Sequence, residues 1–216
     1  MSENKLRIYL RKPLPPVLAK YLKGYLSSYI EKQIKCRFKS GQTSSQGYNW
    51  LLSNIDRLTG HLDNIHLYNW LGTCDLTDYN GTYINLSDDK DRPKIPIDAL
   101  QNFITLIKTY PACKITIFEI PPYSIIDFNK SRGHSDPSSF KQQEEELLAK
   151  IHDINSQIRQ INESKNTFSP NFALDISHNH NAKTSKSKKV TLRDSYLFNL
   201  YLDGIHPNTE LGRVWL

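Results

Sequence analysis

Short apolar runs alternate with longer amphipathic stretches along this chain. Runs typical of β-strands fall at five places: residues 6–10, 34–39, 64–71, 114–120 and 172–176. Apolar positions at helical spacing fill longer segments between them: residues 14–34, 44–58, 97–110 and 138–162. A last helix begins after residue 208. The pattern therefore predicts five strands that alternate with helices.

This alternation is typical of a parallel sheet, because parallel neighbours need a crossover connection, which is usually a helix. We predict an α/β fold: a three-layer α/β/α sandwich with a roughly five-stranded parallel sheet, of the flavodoxin-like kind. The 216 residues are expected to form a single domain over residues 1–216. In such folds ligands bind beyond the carboxyl ends of the strands, so we expect functional residues there.

Three polar stretches interrupt the pattern. Residues 78–96 and 123–137 are predicted to be long loops. Residues 179–189, NHNAKTSKSKK, are rich in lysine, serine and asparagine, which predicts a flexible basic loop.

Composition sets further bounds. The formal net charge of +6 permits anionic partners but does not identify nucleic acid. Cys36, Cys74 and Cys113 are far apart, so neither a disulfide framework nor a zinc site is predicted, and we expect no metal or cofactor. No signal peptide or membrane span is apparent, and an intracellular location, cytoplasmic or nuclear, is expected.

Small polar motifs follow the predicted strands. Gly41 follows the second strand, Gly72-Thr-Cys-Asp75 the third, and Ser124 comes shortly after the fourth. The fifth strand and the basic loop are followed by Asp203-Gly-Ile-His206-Pro. Because these motifs all come after strands, they are expected at one edge of the sheet.

The last motif has two interpretations. Asp and His three residues apart on a tight turn can place a carboxylate against one imidazole nitrogen, which leaves the other nitrogen to act as a base. Alternatively, Asp-Gly is an ordinary turn pair, and His-Pro-Asn is a plain helix entry with Asn208 as the cap.

In this order the motifs resemble those of the SGNH, or GDSL-type, hydrolase superfamily. The resemblance covers residues 6–216 and is strongest at Asp203-Gly-Ile-His206. It implies that Asp203 and His206 are the catalytic acid and base. It also implies that the backbone at Gly41 and the residue at Cys74 form the oxyanion hole, while Gly72, Asp75 and Ser124 shape the turns and the pocket.

Two positions depart from that family. The first strand should be followed by Gly-Asp-Ser, but this chain has Arg11-Lys12-Pro13, with no Ser, Thr or Cys to attack an acyl group. Lys12 could attack only with a strongly lowered pKa. Cys74 replaces the asparagine of the oxyanion hole, and a thiol is a weak hydrogen-bond donor. Cys74 is a conceivable substitute nucleophile beside His206, although a small, partly buried residue is the commoner role of such a cysteine.

Two functions therefore remain open. The first is an esterase or acyl hydrolase that uses the Asp–His pair on a small ester. The second is an inactive pseudo-hydrolase that binds single-stranded RNA or another anion through a set of basic residues: Arg11, Lys12, Lys186, Lys188 and Lys189. The stretches WLGTCDLT and EIPPYS also resemble SGNH-like open reading frames of animal mobile elements.

Overall fold

A computed structural model of the chain describes residues 5–9, 41–60, 65–88, 94–178 and 191–215. Within these residues, three parallel strands form the main sheet in the order β1–β2–β5: β1 (Lys5–Tyr9), β2 (Ile65–Trp70) and β5 (Cys113–Phe118). In the register, Tyr9 lies opposite Asn69, and Asn69 lies opposite Ile117. The α/β class and the parallel sheet are thereby confirmed. The strand predicted at residues 34–39 and the helix predicted at 14–34 lie outside the described residues.

The described part contains seven α-helices, of which five follow the predicted helical segments. They are α1 (Ser44–Leu52), α2 (Ile55–Thr59), α3 (Lys94–Lys108), α4 (Ile125–Ser131), α5 (Lys141–Glu163), α6 (Phe172–Asp175) and α7 (Thr209–Val214). Leu100, Phe103 and Ile107 form the buried side of α3, as predicted. None of the described helices is both long and apolar enough to cross a membrane.

The helix predicted over residues 44–58 is interrupted between α1 and α2. There the Ser53 hydroxyl donates to the Asn49 carbonyl at 2.9 Å, and the Asn54 side-chain Nδ2 donates to the Trp50 carbonyl at 2.7 Å. Side chains that bond to the carbonyls of the preceding turn compete with the helical ladder, so the chain turns here before α2 begins.

Both predicted loops contain regular structure, so those two predictions are wrong. Residues 78–96 include most of an antiparallel hairpin, β3 (Thr77–Tyr79) with β4 (Ile84–Leu86), and the start of α3. Residues 123–137 contain α4. The hairpin and α4 are joined by the side chain of Asn129, which accepts from the Ile84 amide at 2.9 Å and donates to the Ile84 carbonyl at 2.8 Å. Paired in this way, the polar hairpin packs on α4 instead of looping into solvent.

The fifth strand predicted at residues 172–176 is also wrong, because this segment is the single turn α6. Phe172 and Ile176 are fully buried, whereas Leu174 between them is 67% exposed. A strand would have turned all three side chains to one face, whereas burial four residues apart is the spacing of a helix.

Asparagine side chains of α5 occupy the edge of β5 in place of that strand. Asn162 accepts from the Ile117 amide at 3.0 Å and donates to its carbonyl at 2.6 Å. Asn155 does the same for Ile120, at 2.7 and 2.8 Å. Each carboxamide therefore pairs with one residue of the edge as the backbone of a neighbouring strand would.

Candidate functional site

The turn after β2 is held to the beginning of α1 by Asp75. Its buried carboxylate accepts from the Ser44 amide at 3.0 Å and from the Ser44 hydroxyl at 2.7 Å. Ser44 follows the turn at Gly41, whose φ of +68° is accessible mainly to glycine. Gly41, Trp70, Gly72 and Cys74 line one narrow cleft, so the structure brings the two predicted oxyanion turns together.

The same turn is joined to the chain that follows β5. Gly72 has a φ of +109°, and a Cβ at this position would lie 2.3 Å from Ile120 Cδ1, so only glycine fits. Beyond Ile120, the buried Tyr123 hydroxyl donates to the Thr73 carbonyl at 2.9 Å. Burial raises the pKa of Tyr123, so its hydroxyl keeps the proton that it donates.

The final polar turn is fixed to the same region. The Ser124 amide donates to the Gly204 carbonyl at 2.9 Å, and the Tyr201 hydroxyl donates to the Pro122 carbonyl at 2.5 Å. Gly204 has a φ of +84°, and a Cβ there would lie within 2.9 Å of the Ser124 carbonyl. Hydrogen bonds thus connect neighbouring turns in sequence from α1 to the Asp203–His206 turn, while Gly41 and Cys74 line one cleft and Asp203 lines another.

Asp203 and His206 form a hydrogen-bonded pair. Asp203 Oδ1 accepts from the backbone amides of Ile205 at 3.1 Å and His206 at 2.8 Å, and Oδ2 lies 2.8 Å from His206 Nδ1. The turn is closed by the Leu202 amide, which donates to the His206 carbonyl at 2.7 Å. Asn208 then caps α7 by accepting from the Leu211 amide at 2.9 Å. The acid–base geometry and the turn-and-cap geometry thus occur together in this segment.

The ionisation of Asp203 determines which nitrogen of His206 carries the proton. Partial burial acts to raise the pKa of Asp203, but the side-chain and backbone hydrogen bonds from His206 outweigh it and lower that pKa to about 2. An ionised carboxylate can only accept, so Nδ1 must be the donor. In the neutral ring this leaves Nε2 unprotonated, and among the described residues no group is hydrogen-bonded to Nε2. The His206 side chain is 32% exposed, so a substrate can approach it.

The low pKa of Asp203 predicts a loss of stability in acid. The pKa lies below the ordinary 3.8, so the stabilisation is complete above about pH 3.8 and is lost as the pH falls towards 2. After allowance for solvent screening, we expect a loss of about 1–2 kcal/mol in the free energy of unfolding. Urea unfolding between pH 5 and pH 2 would measure it. The Asp203→Asn variant should lack this component, whereas Asp153→Asn, whose side chain is 80% exposed, should keep it; equal curves for all three proteins would contradict the assignment.

Ser124, which was expected to shape the turns and the pocket, lies at the beginning of α4. It is fully buried, and its hydroxyl caps α4 by accepting from the Asp127 amide at 2.9 Å while donating to Glu144 Oε2 at 2.7 Å. Ser124 is therefore not available to contact a ligand. Its backbone amide supports the Asp203–His206 turn through the hydrogen bond to the Gly204 carbonyl.

Glu144 and Arg193 were not identified from the sequence. Glu144 is fully buried on α5 and forms an ion pair with Arg193, which also donates to Asp127 Oδ2 at 2.8 Å. Burial acts to lower the pKa of Arg193, but the two carboxylates raise it overall, so the guanidinium stays charged. A buried Glu in a run of three glutamates carries no distinguishing signal, because the side chains that contact it come from distant segments.

The basic residues proposed to bind an anion all belong to segments outside the described part of the chain. Arg11, Lys12, Lys186, Lys188 and Lys189 lie outside the described residues, as does the basic loop at residues 179–189. Within the described residues, no group of three or more His, Cys, Asp or Glu side chains could hold a metal ion.

Comparison with known proteins identifies the fold. No protein-family model matches the sequence, and no curated protein matches it. The structure is similar to that of the acetyl xylan esterase AlAXEase, with a TM-score of 0.54 and 15% identity over 97% of this chain and 94% of that one. For a variant of the acetyl xylan esterase Axe2 from Geobacillus stearothermophilus, the TM-score is 0.51 at 15% identity, over 99% of this chain and 92% of that one.

A third similar structure is that of a proposed lipolytic protein of the G-D-S-L family from Desulfitobacterium hafniense. The TM-score is 0.52 at 11% identity, over 98% of this chain and 95% of that one. At these identities the likeness concerns the fold. The parallel sheet, the polar turns at its edge and these three structures together show that the chain has the α/β/α fold of the SGNH hydrolases.

Proposed function

We propose that this chain is a hydrolase of small esters in which His206 acts as the general base and Asp203 orients it. The observation that carries the proposal is the 2.8 Å contact from Asp203 Oδ2 to His206 Nδ1, together with a partly exposed ring whose Nε2 is left to take a proton. The similarity to two acetyl xylan esterases favours a small acyl group as the substrate.

The nucleophile that fits this chain is water. In the sequence β1 is followed by Arg11-Lys12-Pro13, which includes no hydroxyl or thiol, and Lys12 could attack only with a strongly lowered pKa. In the proposed step, Nε2 takes a proton from water and the resulting hydroxide adds to the acyl carbon. The negative charge passes to the carbonyl oxygen, for which the Gly41 backbone amide is the proposed donor. Collapse releases the carboxylic acid, and the leaving alkoxide takes the proton from His206.

The test is hydrolysis of 4-nitrophenyl acetate at protein concentrations high enough to detect slow turnover. We expect the wild type to exceed the buffer rate and His206→Ala to lose about 10²–10⁴-fold of that excess, which is the usual contribution of a positioned base. The matched control is His152→Ala, because the His152 side chain is 70% exposed on α5, away from these turns. Equal rates for the wild type and His206→Ala would contradict the proposal.

Cys74 provides the internal check on the nucleophile. It is half-buried in the cleft with Gly41. If water attacks, Cys74→Ala should keep turnover within a few-fold of the wild type, and no acyl-enzyme mass should accumulate. Loss of turnover together with an acetylated Cys74 would show that the thiolate is the nucleophile.

A second candidate function is favoured by Arg11 and Lys12. β1 ends at Tyr9, beside Asn69 near the end of β2, and in the sequence these two cations come soon after this carboxyl end. Cations in this position suit an anion such as a phosphate of single-stranded RNA. Retention of a labelled RNA oligonucleotide should then fall in an Arg11→Gln, Lys12→Gln variant but not in a Lys108→Gln, Lys165→Gln variant. Equal retention by the two variants would exclude this function.

A further inference from the structure

Gly204, the residue after Asp203, rests directly on the first turn of α4. A Cβ on Gly204 would lie 2.8 Å from the Phe128 nitrogen and 2.9 Å from Asp127 Cβ, and the Ser124 amide already donates to its carbonyl at 2.9 Å. We call this support, formed by Ser124 and Asp127, the seat of the turn. The position of His206 therefore depends on the position of the seat.

Arg193 holds the seat from one side. Its Nη1 donates to Ser124 Oγ at 2.7 Å and also pairs with Glu144, and its Nη2 donates to Asp127 Oδ2 at 2.8 Å. The planar guanidinium thus donates to three acceptors at once. A lysine ammonium on a flexible stem does not reproduce this geometry.

Glu144 holds the seat from the other side. Its Oε2 accepts from the Ser124 hydroxyl at 2.7 Å and from the Ile126 amide at 2.8 Å. One carboxylate therefore bonds to the cap and to the first turn of α4, while its Oε1 pairs with Arg193. Because Glu144 is fully buried, its charge has to be compensated locally, and Arg193 supplies that compensation.

Arg193 also contacts the chain that leads into the turn. Its guanidinium carbon lies 5.2 Å from the centre of the Phe198 ring, within the range of a cation–π contact. The Phe198 ring is 6.1 Å from that of Tyr201, and the Tyr201 hydroxyl bonds to Pro122. Arg193 therefore contacts both the seat and the segment that enters the Asp203–His206 turn.

From these contacts we infer that Arg193, together with Glu144, is a positioning residue that fixes the Asp203–His206 turn at the edge of the sheet. The effect of Arg193 on turnover rests on the proposed function, whereas its effect on the position of the turn does not. Arg193 has no hydrogen bond or ion pair with His206, so its loss should displace the base without removing it. A displacement on the order of 1 Å can lower the rate about 10²-fold.

The test uses a double variant that removes the arginine without stranding a buried charge. Arg193→Met alone would leave Glu144 unpaired and threaten folding, whereas Arg193→Met with Glu144→Gln removes both charges of the pair. Arg193→Lys is the conservative variant, and Lys150→Met, which removes an ion pair with Glu146 on the surface of α5, is the control.

For the full-length double variant we expect kcat for 4-nitrophenyl acetate to fall at least 10-fold, with KM within about threefold of the wild type. Arg193→Lys should recover part of that loss, and Lys150→Met should match the wild type. Lysine keeps the positive charge opposite Glu144 but lacks the fork, so the recovery should be partial, and kcat is compared per folded protein to separate positioning from a loss of stability. A double variant that folds and keeps wild-type kcat would overturn the inference.

Hydrogen exchange provides a readout that does not need turnover. The amides of Ile205 and His206 both donate to Asp203 Oδ1. In the double variant, peptides covering residues 201–207 should exchange at least 10-fold faster, while peptides from α3 stay unchanged. If no protein hydrolyses the ester, the proposed function fails, and the exchange result alone decides the positioning role. Unchanged exchange over residues 201–207 would overturn that role even in an active enzyme.

Discussion

Replacing Asn162 with leucine is expected to lower the free energy of unfolding by about 2–6 kcal/mol. Leucine has a similar size but pairs with neither the amide nor the carbonyl of Ile117, and each buried backbone group left without a partner costs about 1–3 kcal/mol. Urea unfolding measures the effect, and the same substitution at Asn155 should behave alike because its carboxamide pairs with Ile120 in the same way.

The matched control is Gln157→Leu, which makes the same kind of change at an exposed position of α5. That variant should stay within about 0.5 kcal/mol of the wild type. If Asn162→Leu and Gln157→Leu unfold at the same urea concentration, the carboxamides do not stabilise the edge of β5.

Replacing Asp75 with alanine is expected to damage both stability and turnover. The Ser44 amide and hydroxyl, both buried, would lose their acceptor, at a cost of about 2–6 kcal/mol in the free energy of unfolding. Ser44 also begins α1 just after Gly41, so the proposed oxyanion donor would lose its fixed position, and we expect ester hydrolysis to fall about 10²-fold. Urea unfolding and initial rates on the same preparations measure the two effects.

Asp75→Asn separates the two consequences of that change. The amide oxygen can still accept from Ser44, so this variant should keep more stability and more turnover than Asp75→Ala. Asp78→Asn, at a half-buried position on the neighbouring hairpin, serves as the control for the loss of a carboxylate. Wild-type rates in a folded Asp75→Ala protein would show that the Gly41 turn takes no part in the reaction.

Features that depend on local spacing were predictable from the sequence. The alternation of strand and helix gave the α/β class and the parallel strands β1, β2 and β5 close to their observed bounds. The pairing of Asp203 with His206 follows from a three-residue spacing on a glycine turn, and its hydrogen bond is present as expected. Their roles in catalysis, like the single domain over residues 1–216, stay predictions.

Features that depend on contacts between distant segments were not predictable. Residues 172–176 alternate as a strand does, but α6 buries Phe172 and Ile176 and leaves Leu174 exposed, while asparagines of α5 cover the edge where a strand was expected. Arg193 and Glu144 are 49 positions apart in the sequence, and a single sequence contains no pattern that links them.

The most direct test of the proposed acid–base pair is the protonation of His206 itself. We propose nitrogen-15 NMR of the imidazole at alkaline pH, with His206→Gln to assign its signals. An ionised Asp203 that accepts from Nδ1 predicts a proton on Nδ1 and an unprotonated Nε2, and Asp203→Ala should abolish that preference. A wild-type ring protonated at Nε2 would contradict the account, because the unprotonated nitrogen would then be Nδ1, which lies against Asp203 and not where water is proposed to bind.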